Sequence, residues 1–156
     1  MKSPIFAHPI AALTLRLVQL PRSGQGYYSY EPGNQQFGTA GTIQTILQIA
    51  RTFYYNMPEV QLGIGDISLI HGGSMRPAHM SHTSGLNVDI RPLRIDHKHS
   101  PCNYHESGYD RGLTQLLVSS FLAHRNVARI LFNDPQIRGV SPFRGHDNHL
   151  HVVMNK

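Results

Sequence analysis

The sequence predicts a small α+β domain in which a central, mostly antiparallel sheet is flanked by helices. Two segments carry apolar residues at the three- and four-residue steps of an amphipathic helix, and four shorter segments show strand patterns. A chain of 156 residues is long enough for one hydrophobic core and too short for two ordinary domains. We therefore expect residues 1–156 to form a single domain, with residues 1–25 as an N-terminal extension.

The first predicted helix covers residues 42–55, with Thr42 as its N-cap and Pro58 beyond its end. Its apolar positions recur at helical spacing and are Ile43, Ile46, Leu47, Ala50, Phe53 and Tyr54. Residues 24–38 precede this helix and are rich in glycine and tyrosine, so we predict an irregular surface segment anchored by aromatic side chains.

The second predicted helix covers residues 111–124. Its apolar face consists of Leu113, Leu116, Leu117, Phe121 and Leu122. The polar loop at residues 94–108 is long enough to form the rim of a functional site.

Four strands are predicted, at residues 60–68, 86–91, 127–132 and 148–154. In the second, Leu86, Val88 and Ile90 alternate with polar residues, which predicts a strand buried on one face only. The last strand alternates in the same way.

The composition excludes several classes of protein. The net charge of +5 favours anionic partners, but no basic run or nucleic-acid-binding motif accompanies it, so nucleic acid is not an expected partner. No apolar stretch reaches the ~18 residues of a membrane-spanning helix. The single cysteine, Cys102, excludes an internal disulfide. The apolar stretch after Lys2 is interrupted by His8, Pro9 and Arg16, so we expect no classical signal peptide.

Histidine is unusually frequent, with 11 residues against nine acidic ones, which indicates a metal or proton-transfer site. His149 and His151 are two residues apart on the last predicted strand and therefore share a face. Asp89 lies on the polar face of the second strand, and the turn after His82 can bring that imidazole back toward Asp89. Histidine nitrogens and a carboxylate oxygen are typical zinc ligands.

A second pair of histidines, His97 and His99, lies in the polar loop with His105. No strand alternation directs these side chains, so we expect solvated loop residues and assign them no role. About one such pair is expected by chance, so the order of the motifs along the chain matters more than any single spacing.

Four motifs follow one another along the chain: GDIS at residues 65–68, the glycines Gly72 and Gly73, HMSHTSGLNVDIRP at residues 79–92, and GHDNHLHV at residues 145–152. Together they resemble the penicillin-insensitive murein endopeptidases. These belong with the lysostaphin-type enzymes, the D-alanyl-D-alanine metallopeptidases and the hedgehog signalling domain. The similarity extends from about Gly26 to Val153 and implies a peptidase with one zinc ion that cleaves peptide stems of peptidoglycan.

Transferred residue by residue, the resemblance implies that His82, Asp89 and His151 bind zinc and that His149 and His146 flank the metal. We expect His149 to act as the general base and His146 to donate to the developing oxyanion. The tautomer of His146 would be fixed by the neighbouring Asp147 or by a backbone carbonyl.

Two further residues are predicted to contact substrate. His79 matches a histidine of the family motif, and Arg76 is expected to bind a substrate carboxylate. Arg91 is the alternative for that contact, and a purely structural role is the competing interpretation for each arginine.

The leading functional prediction is a D,D- or L,D-endopeptidase that hydrolyses peptidoglycan cross-links. The alternatives are a D-alanine carboxypeptidase or dipeptidase of the same superfamily, and a non-catalytic binding module stabilised by zinc. We expect synthesis in the cytoplasm and delivery to the periplasm or cell wall by a non-classical route, as an antibacterial effector or a phage lysin. An immunity protein or a delivery apparatus would then be a partner. A mature domain cut from a longer precursor is the remaining alternative.

Overall fold

Each of the two helices begins at a side chain that caps it. In the computed structural model, which describes residues 16–31, 33–75 and 80–156, α1 spans Ala40–Asn56 and α2 spans Arg111–Leu122. The side chains of Thr39 and Asp110 each accept a hydrogen bond from the backbone N–H three residues later, at 3.1 and 2.9 Å. These bonds satisfy N–H groups that the first helical turn leaves without a partner. No helix in the described ranges is long and apolar enough to cross a bilayer.

The prediction that Thr42 caps the first helix is wrong, because the helix begins two residues before it. The Thr42 hydroxyl lies inside the first turn and donates to the backbone carbonyl of Gly85 at 2.7 Å. Thr39 therefore takes the cap position. Two threonines three residues apart could each serve as the cap, and a tertiary contact decides between them.

The strands are short, and several have two or three residues. They are β1 (Val18–Gln19), β2 (Ser23–Gly24), β3 (Tyr27–Ser29), β4 (Phe37–Gly38), β5 (Leu62–Ile64), β6 (Asn87–Ile90), β7 (Val127–Leu131), β8 (Val140–Ser141) and β9 (Leu150–Met154).

Within the described residues, seven strands form the main sheet in the order β2-β3-β5-β6-β9-β7-β8. The pairs β3–β5 and β7–β8 are parallel and the other pairs are antiparallel. The predicted α+β domain with a mostly antiparallel sheet is thus confirmed. The strands β1 and β4 form a separate antiparallel pair.

The prediction of an irregular segment at residues 24–38 is wrong for β3, which adds a parallel strand beside β5. A strand of three residues gives too few positions to show alternation, and its partner lies more than thirty residues further along the chain. Of the expected N-terminal extension, residues 1–15 lie outside the described residues. Residues 18–19 form β1, which pairs with β4, and residues 23–24 form β2, which pairs with β3.

The two faces of the sheet differ in chemistry. One face joins the hydrophobic core, to which it contributes Leu62, Ile64, Val88, Ile90, Leu150 and Val152 together with apolar residues of both helices. Asp89 and His151 point to the opposite face, because side chains alternate along a strand. Both are only 4% exposed, so this polar face is covered as well. The predicted half-buried strand at residues 86–91 is therefore buried on both faces across β6.

Candidate metal centre and cleft

Three buried side chains meet on the polar face of the sheet. His82, Asp89 and His151 each offer one ligand atom, and these atoms lie within 4.8 Å of one another. Asp89 Oδ1 is 2.8 Å from His151 Nδ1, and Asp89 Oδ2 is 3.3 Å from His82 Nε2. Among the described residues, this is the one group of three or more histidine, cysteine or acidic side chains that could hold a metal ion.

The backbone brings each of these residues to its place. Asp89 and His151 lie opposite each other in the register of β6 and β9. His82 precedes β6, and Gly85 turns the chain between them with a φ of +71°. A Cβ at Gly85 would lie 2.9 Å from the backbone nitrogen of Thr39, so this turn has room only for glycine.

The hydrogen bonds of the two histidines determine which ring nitrogen faces the cluster. His82 Nδ1 lies 3.0 Å from the carbonyl oxygen of Ile67. A carbonyl only accepts, so His82 donates from Nδ1 and directs Nε2 toward Asp89. His151 instead directs Nδ1 toward Asp89. The cluster therefore offers one Nε2, one Nδ1 and a carboxylate.

The carboxylate and the histidine beside it stabilise each other's charged forms. Burial raises the pKa of Asp89, but the hydrogen bonds from His151 and His82 outweigh it and hold this pKa below its usual range. Burial lowers the pKa of His82, and the hydrogen bond and charge of Asp89 more than offset that effect, so the pKa of His82 is raised. The site is thus adapted to a positive charge next to Asp89.

His149 lies one residue before β9 and is more accessible than the three clustered residues. Its Nε2 is 3.9 Å from Asp89 Oδ1, and its side chain is 22% exposed. Its Nδ1 donates to Asn148 Oδ1 at 2.8 Å. The Nε2 of the neutral ring can therefore accept a proton at the edge of the cluster.

His146 lies beside His149 and His151. Its ring centroid is 4.6 Å from that of His149 and 5.4 Å from that of His151. Its Nδ1 lies 3.2 Å from the carbonyl oxygens of Phe143 and Arg144. Backbone carbonyls thus orient this ring.

Asp147, the other partner expected for His146, takes a different contact. Its Oδ1 accepts a hydrogen bond from Asn133 Nδ2 at 2.6 Å.

Two cavities share His149 and Gly145 in their walls and extend past different members of the cluster. The first has a volume of about 490 Å³ and is lined by Met80, Ser81, His82, Phe143, Arg144, His146 and His151. The second has a volume of about 440 Å³ and is lined by Tyr30, Glu31, Asp66, Asp89, Arg91, Pro101 and Asn148. Together they form a cleft that passes the cluster, with the exposed apolar side chains of Met80 and Phe143 at one end.

The two residues predicted to contact substrate, Arg76 and His79, lie outside the described residues. Arg91, the alternative, lines the second cavity and has strong contacts of its own. Its guanidinium carbon is 3.9 Å from the ring centroid of Tyr30, and its Nη1 donates to the carbonyl oxygen of His99 at 2.7 Å. These contacts favour a structural role for Arg91.

The histidines of the polar loop do not join the cluster. His99 stacks on Tyr28 with ring centroids 3.7 Å apart, and His105 packs against Tyr104 at 3.8 Å. His97 has a positive φ of 53° in a tight turn. The loop instead supports the second cavity, because the backbone carbonyl of His99 accepts a hydrogen bond from Arg91, which lines that cavity.

Sequence reasoning missed Asn87 and interpreted Tyr30 as one of the aromatic anchors of residues 24–38. Asn87 Oδ1 lies 3.2 Å from His151 Nε2. The period of two along β6 could have indicated it, since Asn87 shares a face with Asp89. Tyr30 reaches the cleft across Gly65, whose missing side chain leaves room for the phenol ring. No sequence signal indicates that contact.

A comparison with known protein families identifies the family to which the chain belongs. The model of the penicillin-insensitive murein endopeptidase family matches residues 14–112, which is more than half of the chain. The chain belongs to this family. Membership of this family makes the chain a hydrolase of the metallopeptidase type that acts on murein. No curated protein sequence gives a significant match to the chain.

The matched residues include only part of the cluster. They contain His82 and Asp89 and end before His146, His149 and His151. The fold brings the third residue of the cluster to the matched ones, because β9 pairs with β6 and places His151 beside Asp89.

Proposed function

We propose that the chain is a zinc-dependent endopeptidase that hydrolyses peptide cross-links of the bacterial cell wall. His82, Asp89 and His151 would hold one zinc ion. Two imidazole nitrogens and a carboxylate oxygen are a common ligand set of catalytic zinc and leave a fourth position for water or substrate. The observation that carries the proposal is the convergence of these three buried donors within 4.8 Å. A cation bound there would also compensate the burial of the Asp89 charge.

Bound zinc would polarise the scissile carbonyl and make a water molecule more acidic. His149 would take the proton from that water at Nε2, since the hydrogen bond to Asn148 occupies its Nδ1. The protonated His149 would then give this proton to the leaving amine. Its partial exposure at the edge of the cluster suits a group that must meet both water and substrate.

His146 would stabilise the negative charge that develops on the carbonyl oxygen. Because its Nδ1 contacts two backbone carbonyls, only the protonated ring can donate from Nε2 into the cleft. Its distance from His149 is short enough for both rings to act on one substrate.

The form of the cleft favours an endopeptidase over a carboxypeptidase. An endopeptidase must accommodate peptide on both sides of the scissile bond, whereas a carboxypeptidase needs one short, closed end. The two cavities that meet at His149 give space on both sides of the cluster. The net charge of +5 further suits murein, whose stem peptides carry carboxylates.

We place the site of action in the cell wall, outside the cytoplasmic membrane, where cross-linked murein is found. In this proposal residues 1–156 form one zinc peptidase domain, and the boundary of the N-terminal extension at residue 25 stays a prediction. Delivery as an effector, with an immunity protein as partner, or as a phage lysin also stays a prediction.

The decisive experiment is mass spectrometry of purified cross-linked muropeptides after incubation with the zinc-loaded protein. We expect dimers to become monomers with the uptake of one water for each bond cut, and the masses identify the bond. His149→Ala should slow this conversion by a factor of ~10² to 10⁴. His124→Ala is the matched control, because His124 contacts Gln48 far from the cleft, and it should cleave like the parent.

Two results would contradict the proposal. Release of terminal D-alanine without loss of dimers would indicate a carboxypeptidase. Binding of muropeptides by the zinc-loaded parent without any cleavage would indicate a binding module.

A further inference from the structure

Asn87 contacts His151, the histidine that directs Nδ1 rather than Nε2 toward Asp89. Asn87 Nδ2 donates to the carbonyl oxygen of Ser81 at 2.7 Å. This bond fixes the orientation of the amide, because the nitrogen must face the carbonyl and the oxygen must face away from it. Asn87 Oδ1 then lies 3.2 Å from His151 Nε2. An amide oxygen only accepts, so Asn87 pairs with His151 Nε2 when that nitrogen carries a proton.

The other nitrogen of the His151 ring, Nδ1, can donate to the Asp89 carboxylate. Once Nδ1 gives up its proton, the Nε2 proton accepted by Asn87 leaves the lone pair of the neutral ring on Nδ1. That nitrogen, Nδ1, is 2.8 Å from Asp89 Oδ1 and faces the cluster. The remaining cleft histidines of the described chain have the opposite arrangement. His82, His146 and His149 each direct Nδ1 to an oxygen outside the cluster.

We propose that Asn87 is a positioning residue that sets the tautomer of His151, so that His151 binds the metal through Nδ1. This inference rests on the proposed role of His151 as a zinc ligand. A partner on the far nitrogen of a ligating histidine holds the ring in one orientation and makes the ligating nitrogen more basic. Asn87 is only 9% exposed, so water competes little for its oxygen.

The Ser81 hydroxyl is the competing acceptor, since its Oγ lies 3.4 Å from the same His151 Nε2. The contact with Asn87 Oδ1 is shorter. The Asn87 amide is also held at its other end, whereas a hydroxyl rotates freely. Asn87 therefore determines the tautomer, and the two candidates can be separated by substitution.

The first test measures zinc affinity by competition with a chelator. Asn87→Leu keeps the size of the side chain and removes the acceptor, so we expect zinc to bind ~10- to 100-fold more weakly. Asn87→Asp restores an acceptor oxygen and should bind zinc at least as tightly as the parent. Ser81→Ala should resemble the parent. Weak binding in Ser81→Ala together with parental binding in Asn87→Leu would overturn the inference.

The second test detects the proton itself by long-range ¹H–¹⁵N correlation spectroscopy of the zinc-loaded protein. In the parent we expect the His151 ring to be protonated at Nε2, and this proton to exchange slowly with water. In Asn87→Leu the same proton should exchange faster. A parent in which His151 is protonated at Nδ1 would overturn the inference, even if Asn87→Leu failed to fold.

The two proposals fail in different ways. A parent protein that binds no zinc through His151 contradicts the proposed function itself. A parent that binds zinc through His151, beside a folded Asn87→Leu variant of equal affinity, contradicts only the role of Asn87.

Discussion

His151 and Asp89 lie directly opposite each other in the register of β9 and β6, and His151 Nδ1 is 2.8 Å from Asp89 Oδ1. These two strands occupy adjacent positions inside the sheet, with neighbours on both sides. Their other faces carry fully buried apolar residues such as Val88 and Val152. The centre of the site is thus built on the most constrained part of the fold, which favours a fixed ligand geometry.

The first prediction concerns the metal. The purified protein should contain about one zinc per chain, and His151→Ala should lose most of it, because two remaining ligands hold zinc poorly. Elemental analysis of the dialysed protein measures this content. His99→Ala is the matched control, since His99 stacks on Tyr28 away from the cluster. Full zinc content in a variant that lacks His82, Asp89 and His151 would contradict the assignment.

The second prediction separates metal binding from turnover. His149→Ala should keep zinc and fold yet lose a factor of ~10² to 10⁴ in hydrolysis rate, the usual contribution of a general base. The rate of muropeptide cleavage and the zinc content should be measured on the same sample. If this variant cleaves as fast as the parent, His149 is not the base.

The sequence predicted the parts of the site that depend on strand alternation. Asp89 and His151 were placed on polar strand faces because a period of two assigns each side chain to one face. The resemblance to a known family then selected His82 and His151 as ligands. The nitrogen that each histidine directs to the cluster could not be predicted, because it depends on Ile67 and Asn87, which only the folded chain brings into contact.

The fold shows the same division between local pattern and tertiary contact. Both helices and the central strands followed from apolar spacing along the chain. The strand β3 and the cap at Thr39 could not be predicted in this way, because each depends on a contact with a part of the chain that is distant in sequence. For β3 this contact is with β5, and for the cap it is with Gly85, whose carbonyl binds Thr42 inside the helix.

The third prediction concerns the turn that delivers His82. Alanine at Gly85 would have an unfavourable positive φ and would also meet the backbone of Thr39. Gly85→Ala should therefore lower the free energy of unfolding by on the order of 1 to 3 kcal/mol and weaken zinc binding. Gly73→Ala is the matched control, because Gly73 has a φ of +87° but open space around its Cβ position. Denaturant unfolding should show a smaller loss for Gly73→Ala; equal losses would mean that the contact with Thr39 contributes nothing.

The fourth prediction concerns stability as a function of pH. Asp134 is 1% exposed and accepts hydrogen bonds from Tyr109, from Arg111 and from the backbone of Gln136. Burial raises the pKa of Asp134, but the bonds from Gln136, Arg111 and Tyr109 outweigh it and lower this pKa in the folded protein. The folded state therefore favours the ionised form. The resulting stability is complete above the unfolded pKa of about 4 and is lost as the pH falls through the lower folded value.

Asp134→Asn should accordingly lower the free energy of unfolding at pH 7 by on the order of 1 to 3 kcal/mol. The difference from the parent should shrink below about pH 4, which denaturant unfolding at a series of pH values would measure. Asp96→Asn, which removes an exposed partner of Arg94, should change stability little. A deficit in Asp134→Asn that does not depend on pH would show that charge is not its cause.

The fifth prediction concerns where the enzyme meets its substrate. Murein lies outside the cytoplasmic membrane, so the chain should be harmful to a bacterium only when it reaches that side. With one cysteine, the fold needs no internal disulfide and can form in the cytosol or after export. Expressed behind an added export signal, the chain should round or lyse the cells, whereas the cytosolic form should be tolerated. His151→Ala should be harmless in both forms, and His124→Ala should remain toxic when exported. Toxicity confined to the cytosolic form would refute a murein substrate, because no cross-linked wall is accessible from that side.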